Sequence, residues 1–315
     1  MAVQLSVDHL GEVWPQGLHS KEQKLGALLH PASVNARLES TLSQLEQLNG
    51  THFQLSALFG PQHGYDGSTQ DNMIEWQSHR HPRLNIPVHS LYGDHRQPTP
   101  EMLDGLDVIF IDLVDVGSRF YTFIWTMLLC LEAAEARQIP VIVCDRPNPI
   151  NGLTTEGTPQ DADYLSFVGL HPLPIRHART IGELATRFQQ ERFPKVPLTV
   201  LPMQGWQRSM WYDETCLPWI LPSPNMPTLD TATVYPGMCL LEGTNLSEGR
   251  GTTRPFEIFG APWIDPNQLV TKLNERSLPG VCFRPMSFLP TFQKHANQLC
   301  HGAQIHVLDR DALRP

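Results

Sequence analysis

The residues most able to perform chemistry lie in one glycine-rich stretch, EGTNLSEGRGTTRPFE, which runs from Glu242 to Glu257. Its three glycines let a loop fold tightly, while two acids, Glu242 and Glu248, and two arginines, Arg250 and Arg254, project nearby. Glycosidic cleavage needs one carboxylic acid that protonates the leaving oxygen and a second carboxylate that acts as base or nucleophile. A glutamate in a partly apolar pocket has a raised pKa, as a proton donor requires. The stretch therefore predicts a glycosidase site, against the alternative of a solvated loop with surface ion pairs.

A second group of polar side chains follows short apolar runs that are predicted to be β-strands. In open parallel sheets, ligands bind beyond the carboxyl ends of the strands, where the connecting loops converge. The alternative for each residue is a structural role, such as binding turn amides or capping a helix. The loops bring together Asp115, a candidate acid, and a set of predicted substrate-binding residues: His63, Asp112, Arg119, Asp145, Arg146 and Asn148.

The elements that must position these loops alternate along the chain. Strand-like runs at 25–29, 53–59, 88–91, 108–112 and 141–145 are separated by helical stretches, which is typical of a parallel sheet. The runs at 108 and 141 are apolar on successive positions, as expected when helices cover both faces. Helices are predicted over 121–137 and over 181–192, where Thr180 and Glu183 fit a capping box. The predicted fold is a Rossmann-like, doubly wound, mainly parallel α/β sheet.

A change in composition suggests where this domain ends. From 218 to 262 the chain is rich in Pro, Gly, Asn, Thr and Ser without a clear period, which is typical of long ordered loops around a site. We predict a Rossmann-like domain over 1–235 and a smaller α+β auxiliary domain over 236–315. The second contains a helix at 266–275 and strand-like runs at 281–283 and 304–308. It is expected to be incomplete at its C-terminus, because the chain stops just after a strand.

Composition and motifs exclude several functional classes. The net charge of -9, without a basic run, disfavours nucleic-acid binding. No apolar run approaches the roughly 20 residues needed to cross a bilayer. The start of the chain carries no secretory signal, which predicts a cytoplasmic protein, or a periplasmic or secreted one if a signal peptide was removed. Metal-binding, dinucleotide-binding, Walker and Gly-x-Ser-x-Gly motifs are absent from the sequence, so neither a metal nor a cofactor is predicted.

Six segments of the sequence resemble, in the same order, the motifs of the bacterial exo-β-N-acetylmuramidases. These enzymes form glycoside hydrolase family 171 and were long catalogued as a domain of unknown function. The similarity spans roughly residues 50 to 265. The segments are FGPQHG at 59–64, SLYG at 90–93, DVGSRFYTFIWTM at 115–127, DRPNPI at 145–150, PSPNMPT at 222–228 and EGTNLSEGRGTTRPFE at 242–257.

The resemblance implies a Rossmann-like domain joined to a smaller one, an active site in the cleft between them and no bound nucleotide. It also implies release of terminal N-acetylmuramic acid from a muropeptide or a peptidoglycan-derived disaccharide. The lactyl carboxylate of that sugar would bind Arg119, Arg146 or Arg250. Three further polar residues within the motifs are also predicted to bind substrate: Tyr121, Asn225 and Asn245.

Two positions depart from the family pattern. Gln62 stands where the family usually has Glu, and Val114 stands where it usually has Gln. Neither an amide nor a valine can replace a titrating acid. The acid work is therefore assigned to Glu75, Glu156, Glu242 and Glu248, with Asp115 as a further candidate, and the active pair is left open. The departures also support an alternative, a muropeptide-binding protein without turnover. A third hypothesis is a hydrolase or lyase that acts on another acidic sugar.

Overall fold

The computed structural model describes residues 2–70 and 74–315. The chain divides into two compact units, Met1–Pro224 and Asn225–Pro315, called here the N-terminal and C-terminal units. The boundary expected near residue 235 falls inside a helix of the C-terminal unit, Leu229–Met238. No helix within the described ranges is both long and apolar enough to cross a membrane.

The N-terminal unit is built on one sheet, for which the described residues give seven strands in the order β3-β4-β2-β1-β5-β6-β7. Neighbouring strands are parallel except for β3, which pairs antiparallel with β4. The strands are β1 Lys24–Leu28, β2 Gln54–Gly60, β3 His79–Arg80, β4 Pro87–Ser90, β5 Val108–Ile111, β6 Val141–Cys144 and β7 Leu198–Leu201. The helices are α1 Leu10–Val13, α2 Thr41–Leu48, α3 Phe123–Arg137 and α4 Ile181–Arg192. Short 3-10 helices lie at Ser6–Asp8, Gln16–Leu18, Ala162–Tyr164 and Tyr212–Thr215.

The mainly parallel sheet confirms the predicted fold class. All four residues of β5 and all four of β6 are buried, as their continuous apolar sequences indicated. Helix α4 begins with the predicted capping box, since Thr180 accepts from the Glu183 amide and Glu183 accepts from the Thr180 amide. Strand β7 was not predicted, because its LTVL sequence is only half-buried and follows the helix closely.

The order of the strands fixes where a ligand is expected. From β1 the chain moves to β2 and β4 on one side of the sheet, and from there it crosses to β5, β6 and β7 on the other side of β1. The reversal places the topological switch point between the carboxyl ends of β1 and β5. The loops that follow β1, β2 and β5 therefore converge where a substrate-binding site is expected.

The C-terminal unit carries a smaller, antiparallel sheet in the order β8-β10-β9. Its strands are β8 Ile258–Ala261, β9 Val281–Phe288 and β10 Cys300–Val307, and its helices are α5 Leu229–Met238 and α6 Pro266–Glu275. A 3-10 helix follows α5 at Cys239–Gly243. Helix α6 lies where it was predicted, whereas α5 and β8 lie in the segment expected to be loop. Helix α5 contains Pro236 and three β-branched residues, so burial of its side chains outweighs poor helix propensity.

Candidate active site

A cleft of about 320 Å³ lies beside the carboxyl ends of β1 and β2 in the N-terminal unit. Its volume is at the lower end of the range of small-molecule sites, about 300–1,000 Å³. Its walls come from four parts of the sequence: the loop after β1, the FGPQHG motif with the residues that follow it, Phe123 at the start of α3, and the segment 220–224, which contains the start of the PSPNMPT motif. The fold thus brings together motifs that are far apart in the sequence.

The cleft is lined by four buried polar residues, His30, Gln62, His63 and Ser223. Gln62 Oε1 accepts a hydrogen bond from Thr122 Oγ1 at 2.6 Å, immediately before α3. His63 has a left-handed φ of 71°. Its Nδ1 donates to the Thr69 carbonyl at 2.8 Å, so in a neutral ring Nδ1 carries the proton and Nε2 carries none. Burial, and then the charge of Arg146, lower the pKa of His30 to about 3, so this ring is neutral.

Asp112, directly after β5, forms a buried ion pair with Arg146, the second residue after β6. Arg146 Nη2 lies 2.7 Å from Asp112 Oδ2, its Nε donates to Oδ1, and Thr41 Oγ1 donates to Oδ2. Burial lowers the pKa of Arg146, but the Asp112 carboxylate outweighs that effect, and the net pKa is raised. Arg146 also donates to the Val34 carbonyl, so both charges are used within the protein.

Asp115 is a second buried carboxylate in the loop after β5. Its Oδ2 accepts from the Gly117 amide at 2.7 Å and lies 3.0 Å from His177 Nε2. The Arg179 amide donates to His177 Nδ1, which places the proton of a neutral His177 ring on Nε2. Among the described residues, Nε2 is close to the carboxylate but is not aligned for a hydrogen bond with it. Within the described residues, Asp115 Oδ1 is buried without a hydrogen-bond partner. Asp115 is therefore oriented through one oxygen only.

Tyr121 links this region to the cleft, since its hydroxyl is hydrogen-bonded to Ser223, a residue of the cleft wall. Burial raises the pKa of Tyr121 well above its usual value, and Asp115 adds to the shift while the Ser223 hydrogen bond opposes it. The hydroxyl therefore keeps its proton.

The remaining predicted strand-end residues make bonds to the backbone. Arg119 Nη1 donates to the carbonyls of Thr158 and Leu173 at 2.9 and 2.5 Å. Asp145 Oδ1 accepts from the Gly182 amide at the start of α4 at 2.8 Å, and burial raises the pKa of Asp145. The amide group of Asn148 bonds to the Ile150 amide and the Arg179 carbonyl, and the residue is 1% exposed. Asp145 and Asn148 therefore have the structural role that was the alternative to substrate binding, since they bind backbone groups.

Two predicted acids of the N-terminal unit are paired with arginines outside the cleft wall. Glu75 is half exposed, and its Oε1 lies 2.9 Å from Arg96 Nη2. Glu156 Oε1 lies 3.4 Å from Arg176 Nη1, and both side chains are largely buried. These pairs can anchor loops, and neither glutamate lines the cleft.

The glycine-rich stretch of the C-terminal unit forms a network of four charged side chains. Arg250 Nη2 donates to Glu242 Oε1 at 2.9 Å, and Arg250 Nη1 lies 3.9 Å from Glu248 Oε1. Lys294 Nζ donates to Glu248 Oε2 at 3.1 Å. Burial, opposed by Arg250 and reinforced by Glu248, raises the pKa of Glu242. The two acids predicted from sequence spacing are therefore joined through one arginine.

The two acids of this network differ in environment. The Glu242 side chain is 27% exposed, whereas that of Glu248 is 2% exposed. Of the two asparagines predicted to bind substrate, Asn225 is buried, whereas Asn245 is exposed and its carbonyl lies 2.7 Å from His295 Nε2. The network thus combines a solvent-accessible acid of raised pKa with a buried carboxylate.

Sequence reasoning missed His177 and Lys294. Each lies in a separate part of the sequence from the carboxylate it contacts, and no local motif marks either residue. The described residues contain no group of His, Cys, Asp or Glu side chains arranged to hold a metal ion.

Fold and site together define an α/β protein in which carboxylates and arginines are concentrated at sheet ends and in a glycine-rich loop, a combination suited to hydrolysis of an acidic sugar. Family models agree with this class. Residues 25–230 match the N-terminal model of the exo-β-N-acetylmuramidase NamZ, and residues 233–315 match its C-terminal model. The chain belongs to the exo-β-N-acetylmuramidase NamZ family, which confirms the resemblance predicted from the motifs and the glycosidase class.

Similar proteins support this membership. The peptidoglycan β-N-acetylmuramidase NamZ of Bacillus subtilis strain 168 is 48% identical over 309 residues, which are 98% of this chain and 73% of the relative. A crystal structure of a DUF1343 family protein from Bacteroides fragilis superimposes with a TM-score of 0.90 at 35% identity, covering 99% of this chain and 79% of the other. A second such structure from the same organism gives 0.75 at 28% identity, covering 98% and 77%.

Proposed function

We propose that the chain is a glycoside hydrolase that releases N-acetylmuramic acid from the non-reducing end of muropeptides or peptidoglycan-derived disaccharides. Membership of the muramidase family supports this substrate. The observation that carries the catalytic assignment is the joining of Glu242 and Glu248 through Arg250, with one acid accessible and the other buried. Hydrolysis of a glycosidic bond needs two carboxyl groups of unlike protonation state.

Glu242 is the proposed proton donor to the leaving oxygen. Its pKa is raised, chiefly by burial, which favours the protonated form that a general acid needs. Its side chain keeps enough exposure to reach a substrate oxygen. Glu75 is a weaker candidate, because its half-exposed carboxylate forms a surface ion pair with Arg96.

Glu248 is the proposed second carboxylate, which activates water or attacks the anomeric carbon. It is buried among cations, with Arg250 on one oxygen and Lys294 on the other. Nearby positive charge favours the ionised form of a carboxyl group. The unlike surroundings of the two glutamates therefore support a division into acid and base or nucleophile.

Arg119 is the best candidate to bind the lactyl carboxylate. Of the three predicted arginines, Arg146 is neutralised by Asp112, and Arg250 lies between two glutamates. Within the described part of the chain, the hydrogen bonds of Arg119 go to neutral carbonyls and its guanidinium lies 5.1 Å from the centre of the Phe120 ring, without a carboxylate partner. Burial of this charge lowers the pKa of Arg119. An anionic ligand would relieve that cost, since a buried charge is stabilised by a paired one.

A pair of chromogenic glycosides tests the function. The protein should hydrolyse the N-acetylmuramic acid glycoside and leave the N-acetylglucosamine glycoside, which lacks the lactyl carboxylate, essentially intact. Hydrolysis of neither substrate by the full chain would exclude the proposed activity.

One observation favours a second function, binding without turnover. Gln62 lines the cleft at the position where the family motif usually has Glu, and its carbonyl oxygen is held by Thr122. A neutral amide can bind a sugar but cannot transfer a proton at this position. Calorimetry with a muropeptide would show binding, and chromatography of the same sample would show no released sugar.

A further inference from the structure

We propose that Lys294 is a positioning residue of the hydrolytic reaction, which holds Glu248 and the first half of the glycine-rich loop in their working geometry. The inference deepens the proposed function and depends on it for the role of Glu248. It concerns a residue outside all the sequence motifs, in the segment Pro290–Gln298 between β9 and β10. This segment is called the clasp segment below.

The Lys294 ammonium group makes three hydrogen bonds, and all three go to the glycine-rich loop or its immediate start. Nζ donates to the carbonyls of Leu241 and Leu246 at 2.8 and 3.0 Å, and to Glu248 Oε2 at 3.1 Å. A lysine has three donors, so its hydrogen-bonding capacity is fully used here. The two carbonyls lie on either side of the stretch from Glu242 to Asn245. The Lys294 ammonium group therefore holds both the backbone around Glu242 and the carboxylate of Glu248.

The backbone of the clasp segment is shaped for this contact. Gln293, His295 and Asn297 all have left-handed φ angles, of 67°, 57° and 61°. Non-glycine residues adopt this conformation rarely, and clusters of it occur at functional sites whose surroundings enforce it. Two flanking bonds enforce it here, from the Thr291 amide to the Gly251 carbonyl at 2.9 Å and between His295 Nε2 and the Asn245 carbonyl at 2.7 Å.

The clasp segment also meets the loop at its tightest point. Gly251 has a φ of 79°, and a Cβ atom placed on it would lie 2.7 Å from the Phe292 carbonyl oxygen. The backbones of the loop and the clasp segment therefore run together without an intervening side chain. Three separate contacts around Lys294 orient its ammonium group at Glu248.

A charge argument separates a positioning role from simple packing. The Glu248 side chain is 2% exposed, and it faces Arg250 at 3.9 Å, Lys294 at 3.1 Å and, through Arg250, the carboxyl group of Glu242. Tyr235 and Cys239 adjoin the Glu242 side of the network as neutral groups, since burial raises the pKa of both. Without Lys294, two acids would share one arginine, and a buried carboxyl group in that position takes up a proton more readily.

The test replaces the charge while keeping the rest of the protein. In Lys294→Met, the acidic limb of the pH profile of kcat/KM should move up by about one pH unit, and kcat should fall by more than KM changes. Lys294→Arg, which keeps the charge, should restore the position of the limb. Lys272→Met, the same change at an exposed position of α6, serves as the control and should leave the profile unaltered.

A second measurement does not require turnover. The carboxyl ¹³C resonance of Glu248, assigned with Glu248→Gln, should shift in Lys294→Met and return toward its original position in Lys294→Arg. If Lys294→Met fails to fold, Lys294→Gln gives the same loss of charge while retaining donors. An unchanged resonance and an unchanged pH profile, with only a lower unfolding temperature, would overturn the proposal. Failure of the unmodified chain to cleave the muramic acid glycoside would instead overturn the proposed function, and the resonance would still report on Lys294.

Discussion

The buried carboxylates of the two units are held in different ways. In the N-terminal unit, Asp112 is locked to Arg146 at the rigid ends of neighbouring strands, and all of its charge is used within the protein. In the C-terminal unit, Glu242 shares Arg250 with Glu248, keeps partial exposure and has a raised pKa. A carboxylate that is fully paired stabilises a scaffold, whereas one that competes for a partner keeps its capacity to exchange a proton. Burial alone therefore does not identify the reactive acid.

The largest effect is expected for the acids of the C-terminal unit. Glu242→Gln removes the proposed proton donor and should lower kcat by a factor of about 10²–10⁴, measured with the muramic acid glycoside. Glu248→Gln should abolish turnover as well. Glu75→Gln is the matched control in the N-terminal unit, since its surface ion pair leaves activity nearly unchanged. Equal losses of kcat in all three variants would contradict the proposal that the catalytic acids lie in the C-terminal unit.

The pH dependence sharpens the same contrast. Because Glu242 acts in its protonated form, activity should fall as the pH rises through its raised pKa. The sign for stability is the same: a carboxyl group whose pKa is raised on folding contributes stability at low pH that is lost as the pH rises through the raised value. The alkaline limb of kcat/KM should disappear from the residual activity of Glu242→Gln, and its persistence there would assign it to another group.

A scaffold role for Asp112 predicts a loss of stability. Asp112→Asn leaves the Arg146 charge buried without its partner and should lower the free energy of unfolding by about 3–5 kcal/mol, measured by urea denaturation. Asp104→Asn, at a largely exposed ion pair, is the control and should cost no more than about 0.5 kcal/mol. A stable Asp112→Asn that has lost only activity would place Asp112 among the catalytic groups instead.

Arg119 tests the proposal that the lactyl carboxylate binds to the N-terminal unit. Arg119→Met should raise KM for the muramic acid substrate by about 10- to 100-fold, the value of a charge-assisted hydrogen bond. A substrate whose lactyl group is converted to the neutral amide should be affected much less. If both substrates weaken to the same extent, Arg119 only organises the backbone around Thr158 and Leu173.

His30 in the cleft wall makes the stability of the protein depend on pH. Its pKa is lowered from 6.5 to about 3 in the folded chain, so its contribution to stability is present above pH 6.5 and is lost as the pH falls toward 3. The free energy of unfolding should decrease by about 1.4 kcal/mol per pH unit through this window, and His30→Gln should remove that slope. His79→Gln, at an exposed position of β3, should keep it.

The parts of the fold that the sequence predicted are those with strong local patterns. The continuous apolar runs of β5 and β6, and the capping box of α4, depend on neighbours in the sequence. Helix α5 escaped prediction because Pro236 and its β-branched residues oppose a helix, and only tertiary burial supplies the compensating free energy.

Prediction of the site residues was likewise successful only where the residues are close in the sequence. The spacing of Glu242, Glu248 and Arg250 was sufficient to predict a charged network, because these residues lie on one loop. Lys294 and His177 were missed because each reaches its carboxylate only after the chain has folded back on itself. The use of Asp112 as a partner for Arg146 likewise depends on the adjacency of β5 and β6 in the sheet.

Gly251 has a consequence for natural and engineered variation. Even one methyl group at this position would collide with Phe292. The glycine-rich loop and the clasp segment can therefore lie this close together only because residue 251 has a hydrogen atom in place of a side chain. Libraries that randomise position 251 should yield functional clones that carry only glycine there. The neighbouring position, Thr252, is partly exposed and should tolerate more residue types.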